Sequence, residues 1–268
     1  MPSGLPLKWE VSFLLIQAEA ASRLGLIQAL CPYRSVMATE STSFMRELEG
    51  RFKLATQLPD RSRYKIFYGQ IHPAKILTLG INPGGDPENT NSDGQTHKDG
   101  VVAAASGSYY EDGEHDILDC DWRENKGLRR LLTPLLNGDA ERIRTDVVKT
   151  NLAFRRSAKA THINVQAAIA ETAPFLTEII ETVRPELVLL TGPAISAFTS
   201  HFASQTTVVA PAEKDEKIKQ TVFAASRVTL HRPSIEVLVV QVGHASQFSW
   251  TYERYGVTDR ILALMHGA

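Results

Sequence analysis

The sequence predicts an α/β sandwich built on a mainly parallel sheet of four strands. Four short apolar runs have the length and composition of buried strands, and helical stretches separate them. When strands alternate with helices along a chain, each helix crosses over the sheet and the strands pair in parallel. The four runs are KILTLGI (75–81), DVVKTNLAF (146–154), ELVLLTG (186–192) and EVLVVQVG (236–243).

Helical spacing precedes and separates these strands. Apolar residues repeat every three to four positions from residue 9 to about 57, with a break at Cys31-Pro32, which predicts a helical lead-in at about 1–60. Residues 164–183 carry one apolar face and end before Pro185, as expected of the crossover between the second and third strands. Further helices are predicted over 126–136, 193–202 and 252–265.

Residues 206–230 leave two interpretations open. With AEKDEKIKQ in their middle, they fit either a hairpin or a solvated excursion between the third and fourth strands. The chain of 268 residues is long enough for one large core. We therefore expect a single domain over 1–268.

Composition excludes several classes of protein. Hydrophobic residues make up 43% and charged residues 22%, a balance that argues against fibrous and disordered chains. Two cysteines are too few for a disulfide framework, a four-thiolate zinc site or an iron–sulfur cluster. No apolar run approaches the roughly 20 residues of a membrane span. We expect a cytoplasmic protein without a membrane partner.

The net charge of −1 conceals two unlike regions. Between Asn82 and Asp121 there are ten acidic residues and one lysine, a local charge of −9. Between Arg123 and Lys159 there are ten basic residues and four acidic ones, a local charge of +6. Near-neutrality of the whole chain therefore remains compatible with a local surface for a polyanion.

Polar residues stand at three strand ends. They are Gly80 to Gly84 after the first strand, Thr150-Asn151 in the second, and Gly243 to Ser246 after the fourth. Ligands of open α/β sheets bind outside the carboxyl ends of the strands, so these residues are expected to line one crevice. Amide and imidazole groups there can read a flat polar ligand.

Two of these strand ends resemble the active-site motifs of the uracil-DNA glycosylase superfamily. LTLGINPGG (77–85) resembles the first motif, in the branches where it reads G-[IM]-N-P-G. HASQFS (244–249) resembles the second motif, usually H-P-S followed by a short loop that enters the duplex. VVKTNLAF lies where the family has a strand ending in a base-recognising Asn, and RPELVLLTGPAISAF (184–198) resembles its third strand and following helix. The resemblance spans about 70–265.

The resemblance implies a three-layer αβα sandwich and a function in base-excision repair. The implied enzyme is a monomeric, monofunctional DNA glycosylase that needs neither metal nor cofactor. It flips a deaminated or mismatched base, such as uracil, out of DNA and hydrolyses its N-glycosidic bond. The site must position water on one side of the sugar and stabilise the departing base on the other.

Site roles follow from the same resemblance. Asn82 would hold the attacking water, and His244 would donate to the base oxygen that gains charge. The base-binding residues would be Ile81, Gly84, Asn151 and a stacking aromatic, Tyr109 or Tyr110. The DNA-binding residues would be Ser246, Gln247, Phe248 as an apolar wedge, Arg155 and Arg156.

Other interpretations stay open at the sequence level. Asn82 also fits a residue that only caps the turn before Pro83, and His244 fits an ordinary strand-end histidine. Asp86 imitates the Asp-containing first motif of another branch, and His231 begins a sequence, HRPS, that resembles a relaxed second motif. The alternative function is a nucleic-acid or nucleotide-binding protein of the same fold without strong catalysis, which Ala245 in place of proline favours.

Overall fold

Six strands form one sheet in the computed structural model, which describes residues 40–58, 64–83, 116–157 and 164–267. The strands are β1 (Ile76–Gly80), β2 (Val147–Asn151), β3 (Leu187–Thr191), β4 (Ala203–Lys214), β5 (Thr221–Leu230) and β6 (Glu236–Val242). Their order in the sheet is β2-β1-β3-β6-β5-β4. The first four in this order are parallel, whereas β5 and β4 continue the sheet antiparallel.

Helices connect these strands, numbered here in chain order within the described residues. They are α1 (40–56), α2 (Asp116–Asp119), α3 (Arg123–Leu135), α4 (Ile143–Asp146), α5 (Val165–Val183), α6 (Ile195–Phe202), α7 (Ala245–Phe248), α8 (Trp250–Arg254) and α9 (Val257–Met265). None of these helices has the length and hydropathy needed to cross a bilayer.

Apolar side chains cover both faces of the sheet. In β1, Leu77 and Leu79 belong to a buried cluster with residues of α1, α5 and α6. Ile76, on the opposite face, belongs to a second cluster with residues of α2, α3, α4 and α9. Alternate strand residues point to opposite faces, so β1 is covered by helices on both sides. The predicted α/β sandwich is confirmed.

The predicted sheet of four strands is too small. Residues 206–230 form most of the hairpin β4–β5, and β5 pairs with β6 from Phe223 opposite Val242 to Thr229 opposite Glu236. The apolar residues of β5 are buried on the sheet, which fixes the hairpin to the core. The hairpin interpretation is therefore correct, and the solvated excursion is wrong.

Helix ends follow local chemistry. Helix α5 begins after Asn164, whose side chain accepts a hydrogen bond from the Ala167 amide, and ends at Arg184 with φ 50°. The single helix predicted over 252–265 is wrong, because Gly256 with φ 56° divides it into α8 and α9. The second part of the predicted lead-in is helix α1, and the first part lies outside the described residues. Residues 42–268 form one compact unit, and a single domain over 1–268 stays a prediction.

Candidate functional site

A cleft of about 520 Å³ opens at the carboxyl ends of the parallel strands. The chain after β1, β3 and β6 lines it, together with the start of α3 and the start of β5. Both predicted motifs contribute to its walls. Their lining residues are Ile81, Asn82, His244, Ser246, Gln247 and Phe248.

The hairpin β4–β5 supplies one wall of this cleft. Because β5 runs antiparallel to β6, its first residue lies near the carboxyl end of β6. Gln220 and Thr221 line the cleft for this reason. The sequence motifs alone do not include this wall.

Asn82 presents its amide oxygen to the cleft region. Its Nδ2 donates to the Pro83 carbonyl and to Ser157 Oγ, each at 2.9 Å. The Pro83 carbonyl can only accept, so the amide atom that faces it is nitrogen. Asn82 Oδ1 has no hydrogen-bond partner among the residues that the structure describes. It is therefore the atom left to accept a hydrogen bond from water.

His244 presents a ring N–H. The Ser246 amide donates to His244 Nδ1 at 3.3 Å, and Ser246 Oγ lies 2.8 Å from the same nitrogen. A nitrogen that accepts from a backbone amide carries no proton, so the proton of the neutral ring is on Nε2. Within the described ranges Nε2 has no hydrogen-bond partner. His244 is thus oriented to donate to a ligand.

Two glycines leave room for the side chains of His244 and Phe248. A Cβ at Gly192, which has φ 106°, would lie 3.2 Å from His244 Cδ2. A Cβ at Gly243 would lie 2.9 Å from the Cβ of Phe248. The ring and the turn after β6 therefore need glycine at both strand ends.

Helix α3 packs against the turn of the second motif. A Cβ at Gly127 would lie only 2.3 Å from the Ala245 carbonyl oxygen, so helix and turn are in close contact. Tyr252 Oη donates to the Gly243 carbonyl at 2.8 Å. Burial raises the pKa of Tyr252 above its usual value, and the negative charge of Glu124 adds to this, so the phenol remains a donor.

Asn151 does not line the cleft. Its side chain is buried, and Nδ2 donates to Tyr68 Oη at 2.6 Å. A Cβ at Gly80 would lie 2.4 Å from Asn151 Oδ1, so the amide covers the end of β1. The structure does not bring Asn151 into the cleft with Asn82 and His244, and base recognition by Asn151 stays a prediction.

The two predicted phosphate-binding arginines also lie away from the cleft lining. Arg155 donates two hydrogen bonds to the Glu171 carboxylate, from Nε at 2.5 Å and from Nη2 at 2.6 Å. These bonds raise the pKa of Arg155. Arg156 is buried, and its Nε donates to the Tyr64 carbonyl at 3.4 Å. His231, the other weighed histidine, is exposed and does not line the cleft. Four predicted or weighed site residues lie outside the described residues: Gly84, Asp86, Tyr109 and Tyr110.

Besides the β4–β5 wall, the structure adds the polar residues Glu124, Ser157 and Gln241 to those expected in the cleft. Gln241 had a signal in the sequence, since it is the only polar residue inside the apolar run VLVVQVG. Its Oε1 accepts from the Ile195 amide at 3.3 Å, which leaves its NH₂ as a donor. Glu124 and Ser157 had no local signal, because helix packing and the chain after β2 bring them to the cleft.

The described residues hold no group of three or more His, Cys, Asp or Glu side chains suited to a metal ion. The cleft offers hydrogen-bonding groups, with acceptors at Asn82 and Glu124 and donors at His244 and Gln241.

No protein-family model matches the chain, and no curated protein matches it.

Proposed function

We propose that this protein is a DNA glycosylase that hydrolyses the N-glycosidic bond of a deaminated or mismatched base, such as uracil. One observation carries the proposal. Asn82 and His244 line the same cleft, and their hydrogen bonds leave an acceptor atom on the first and a donor atom on the second. The resemblance of the two motifs to the uracil-DNA glycosylase superfamily supports the same reaction, a step in base-excision repair.

In the proposed reaction, Asn82 Oδ1 accepts a hydrogen bond from water and positions its oxygen toward C1′ of the sugar. The bond between C1′ and the base nitrogen breaks, and its electron pair leaves with the base. The water oxygen bonds to C1′ and loses its proton to solvent. An amide is a poor base, so Asn82 contributes by positioning.

On the other side of the bond, His244 Nε2–H donates to the base oxygen on which negative charge collects. A fixed donor at that oxygen stabilises the transition state more than the ground state. Gln247 and Phe248 follow on helix α7 and line the same cleft. In this proposal, Phe248 fills the space that a flipped base leaves in the duplex.

The test is base release from oligonucleotides that contain uracil, hypoxanthine, xanthine or mismatched thymine. Alkali then cleaves the abasic sites, and the products are resolved by length. We expect release from at least one of these substrates. We expect Asn82→Ala and His244→Ala each to lower the single-turnover rate by about 100-fold or more.

His231→Ala is the matched control. His231 is exposed and outside the cleft lining, so this variant should retain the parent rate. No abasic product at high enzyme excess, with the protein folded, would contradict the proposal. If the His231 variant lost activity and the His244 variant kept it, the assignment of His244 as the active-site histidine would be wrong.

The cleft lining also favours a second candidate, a protein that binds a base or nucleoside without cleaving it. Among the described lining residues, Glu124 is the one carboxylate, and there is no lysine or arginine to bind a phosphate. Saturable binding of uridine by a protein that releases no base would support this candidate.

A further inference from the structure

Glu124 is the one carboxylate among the described residues that line the cleft. It lies in the first turn of α3, and its side chain is 27% exposed. Its Oε1 is 3.5 Å from Nζ of Lys149 on β2. The second carboxylate oxygen has no hydrogen-bond partner in the part of the chain that the structure describes. One oxygen therefore anchors the group, and the other is left for a ligand.

The anchor is rigid. Lys149 is 3% exposed, and its ammonium group donates to Asn125 Oδ1 at 2.9 Å. The same nitrogen lies 4.5 Å from the centroid of the Tyr68 ring. A buried ammonium held by a carboxylate, an amide and an aromatic ring has little freedom to leave its partner. Lys149 thus gives Glu124 a buried cationic partner on one side of its carboxylate.

Two other side chains of the cleft complement this carboxylate. His244 Nε2 and the NH₂ group of Gln241 are donors, so a ligand needs a carbonyl oxygen for them. Glu124 is an acceptor, so the same ligand needs an N–H group. A lactam or imide ring supplies both.

Deamination creates this pair of groups on a base. It replaces an exocyclic amino group by a carbonyl, and the adjacent ring nitrogen changes from an acceptor to an N–H donor. A carboxylate attracts this N–H and repels the ring-nitrogen lone pair of undamaged cytosine or adenine.

We propose that Glu124 is a specificity-determining residue that accepts a hydrogen bond from the ring N–H of a lactam or imide base. The inference rests on the proposed function for the identity of the ligand as a base. It assigns Glu124 the recognition of deaminated bases, separately from the chemistry at Asn82 and His244.

Methylated bases test this without DNA. 1-Methyluracil retains the ring N–H, whereas 1,3-dimethyluracil lacks it, and 9-methylhypoxanthine and 1,9-dimethylhypoxanthine form the matching purine pair. Calorimetry should show that the parent protein prefers the N–H member of at least one pair by about tenfold or more. In Glu124→Gln, whose amide can donate as well as accept, the preference should fall to about threefold or less.

Two further variants keep the test decisive. Glu253→Gln changes an exposed carboxylate outside the cleft lining and should keep the parent preference. Glu124→Asp keeps a negative charge for Lys149, so this variant should fold. Its side chain is one methylene shorter, so it should lose most of the preference for the ligand with the ring N–H. An unchanged preference in both Glu124 variants, or no preference in the parent, overturns the inference.

The two proposals fail in different ways. If the parent releases base from DNA while the Glu124 variants keep the parent preference, the glycosylase proposal stands and the role of Glu124 is wrong. If the parent releases no base but its preference for the N–H member depends on Glu124, the activity is wrong and the recognition is right.

Discussion

At the scale of single residues, short-range partners determine which atoms of the site are available for chemistry. The NH₂ group of Asn82 donates to the Pro83 carbonyl and to Ser157 Oγ. The Ser246 amide donates to Nδ1 of His244. A residue type alone does not specify these orientations, since an amide can turn over and an imidazole has two tautomers. The backbone next to each residue fixes them here.

Ser246 is predicted to act as a positioning residue for His244. Ser246→Ala removes the hydroxyl that lies 2.8 Å from Nδ1 but keeps the backbone amide that donates to it. We expect base release to slow by about three- to tenfold, the effect of one neutral hydrogen bond. Nitrogen-15 NMR of the His244 ring should show a smaller fraction of the Nε2–H tautomer. An unchanged tautomer fraction would contradict the role.

The sequence indicates some site residues better than others for a physical reason. Asn82 and His244 follow strand ends, where the backbone alone brings side chains to the cleft. The surroundings of Asn151 and Arg155 depend on Tyr68 and Glu171, which come from distant segments. Glu124 reaches the cleft only through the packing of α3, which no local pattern encodes.

At the scale of elements, the close contact between α3 and the turn at Ala245 supports the second motif. Ala245 is fully buried, and its carbonyl oxygen occupies the space beside Gly127. The resemblance leads one to expect proline at this position. Ala245 instead packs against helix α3. This packing restrains the turn, as the ring of a proline would otherwise do.

Gly127→Ala and Gly50→Ala form a matched pair of helical substitutions. At Gly127 the new methyl group meets the Ala245 backbone, and we expect a loss of about 1–3 kcal/mol in the free energy of unfolding. Base release should also slow by about tenfold or more, because the turn that carries His244 must move. A Cβ at Gly50 in α1 would meet no other described residue within 4 Å, and alanine there should raise the free energy of unfolding by about 0.5–1 kcal/mol. Thermal unfolding distinguishes the two, and equal stabilisation by both would contradict the contact.

The turn between β4 and β5 is attached to the C-terminal helices through Asp215. This carboxylate is buried and accepts from Tyr255 Oη at 2.7 Å and from the Lys217 and Ile218 amides. The hydrogen bond from Tyr255 is the main cause that lowers the pKa of Asp215, with the Ile218 amide next. The same turn leads into Gln220 and Thr221 of the cleft wall.

Asp215→Asn is therefore predicted to weaken the fold in a pH-dependent way. The pKa of the folded state is depressed, so the stabilisation is complete above the unfolded value of about 3.9 and is lost as the pH falls further. The variant should have a lower melting temperature than the parent at pH 7. The difference in melting temperature should become smaller below about pH 4. Glu216→Gln, an exposed change in the same turn, should melt like the parent. A difference that is constant with pH would contradict the assignment.

The strands show which elements a sequence predicts well. Four apolar runs bounded by turns predict β1, β2, β3 and β6, because a strand buried on both faces needs no partner to be recognised. Strand β4 is mostly exposed and resembles a solvated segment until β5 is known to pair with β6. Its place depends on a long-range contact.

At the scale of the whole molecule, ion pairs offset the charge segregation seen along the chain. Within the described residues of 123–159, four basic residues contact carboxylates outside that segment: Lys126, Arg129, Arg144 and Arg155. Arg129 pairs with Asp121 and Arg144 pairs with Asp119, so the basic segment meets the end of the acidic one. The local charge of +6 is therefore a weaker sign of a DNA-binding surface than the sequence indicates.

Binding to DNA is accordingly predicted to depend little on salt. Each phosphate contact contributes about −0.9 to the slope of log K against log salt concentration, and we expect a total slope of about −2 or shallower. Fluorescence anisotropy of a labelled oligonucleotide over a range of salt concentrations gives this slope. A slope steeper than about −5 would show extensive phosphate contacts and contradict the prediction.

Single-turnover release of uracil or hypoxanthine from DNA, with the base and the abasic strand both quantified, tests the assignment of Asn82 and His244 most directly. The parent protein should yield the two products in equal amounts, and Asn82→Ala should lower the rate by about 100-fold or more while it remains folded. Equal rates for the parent and Asn82→Ala, or no base released by the folded parent, would contradict a glycosylase site in this cleft.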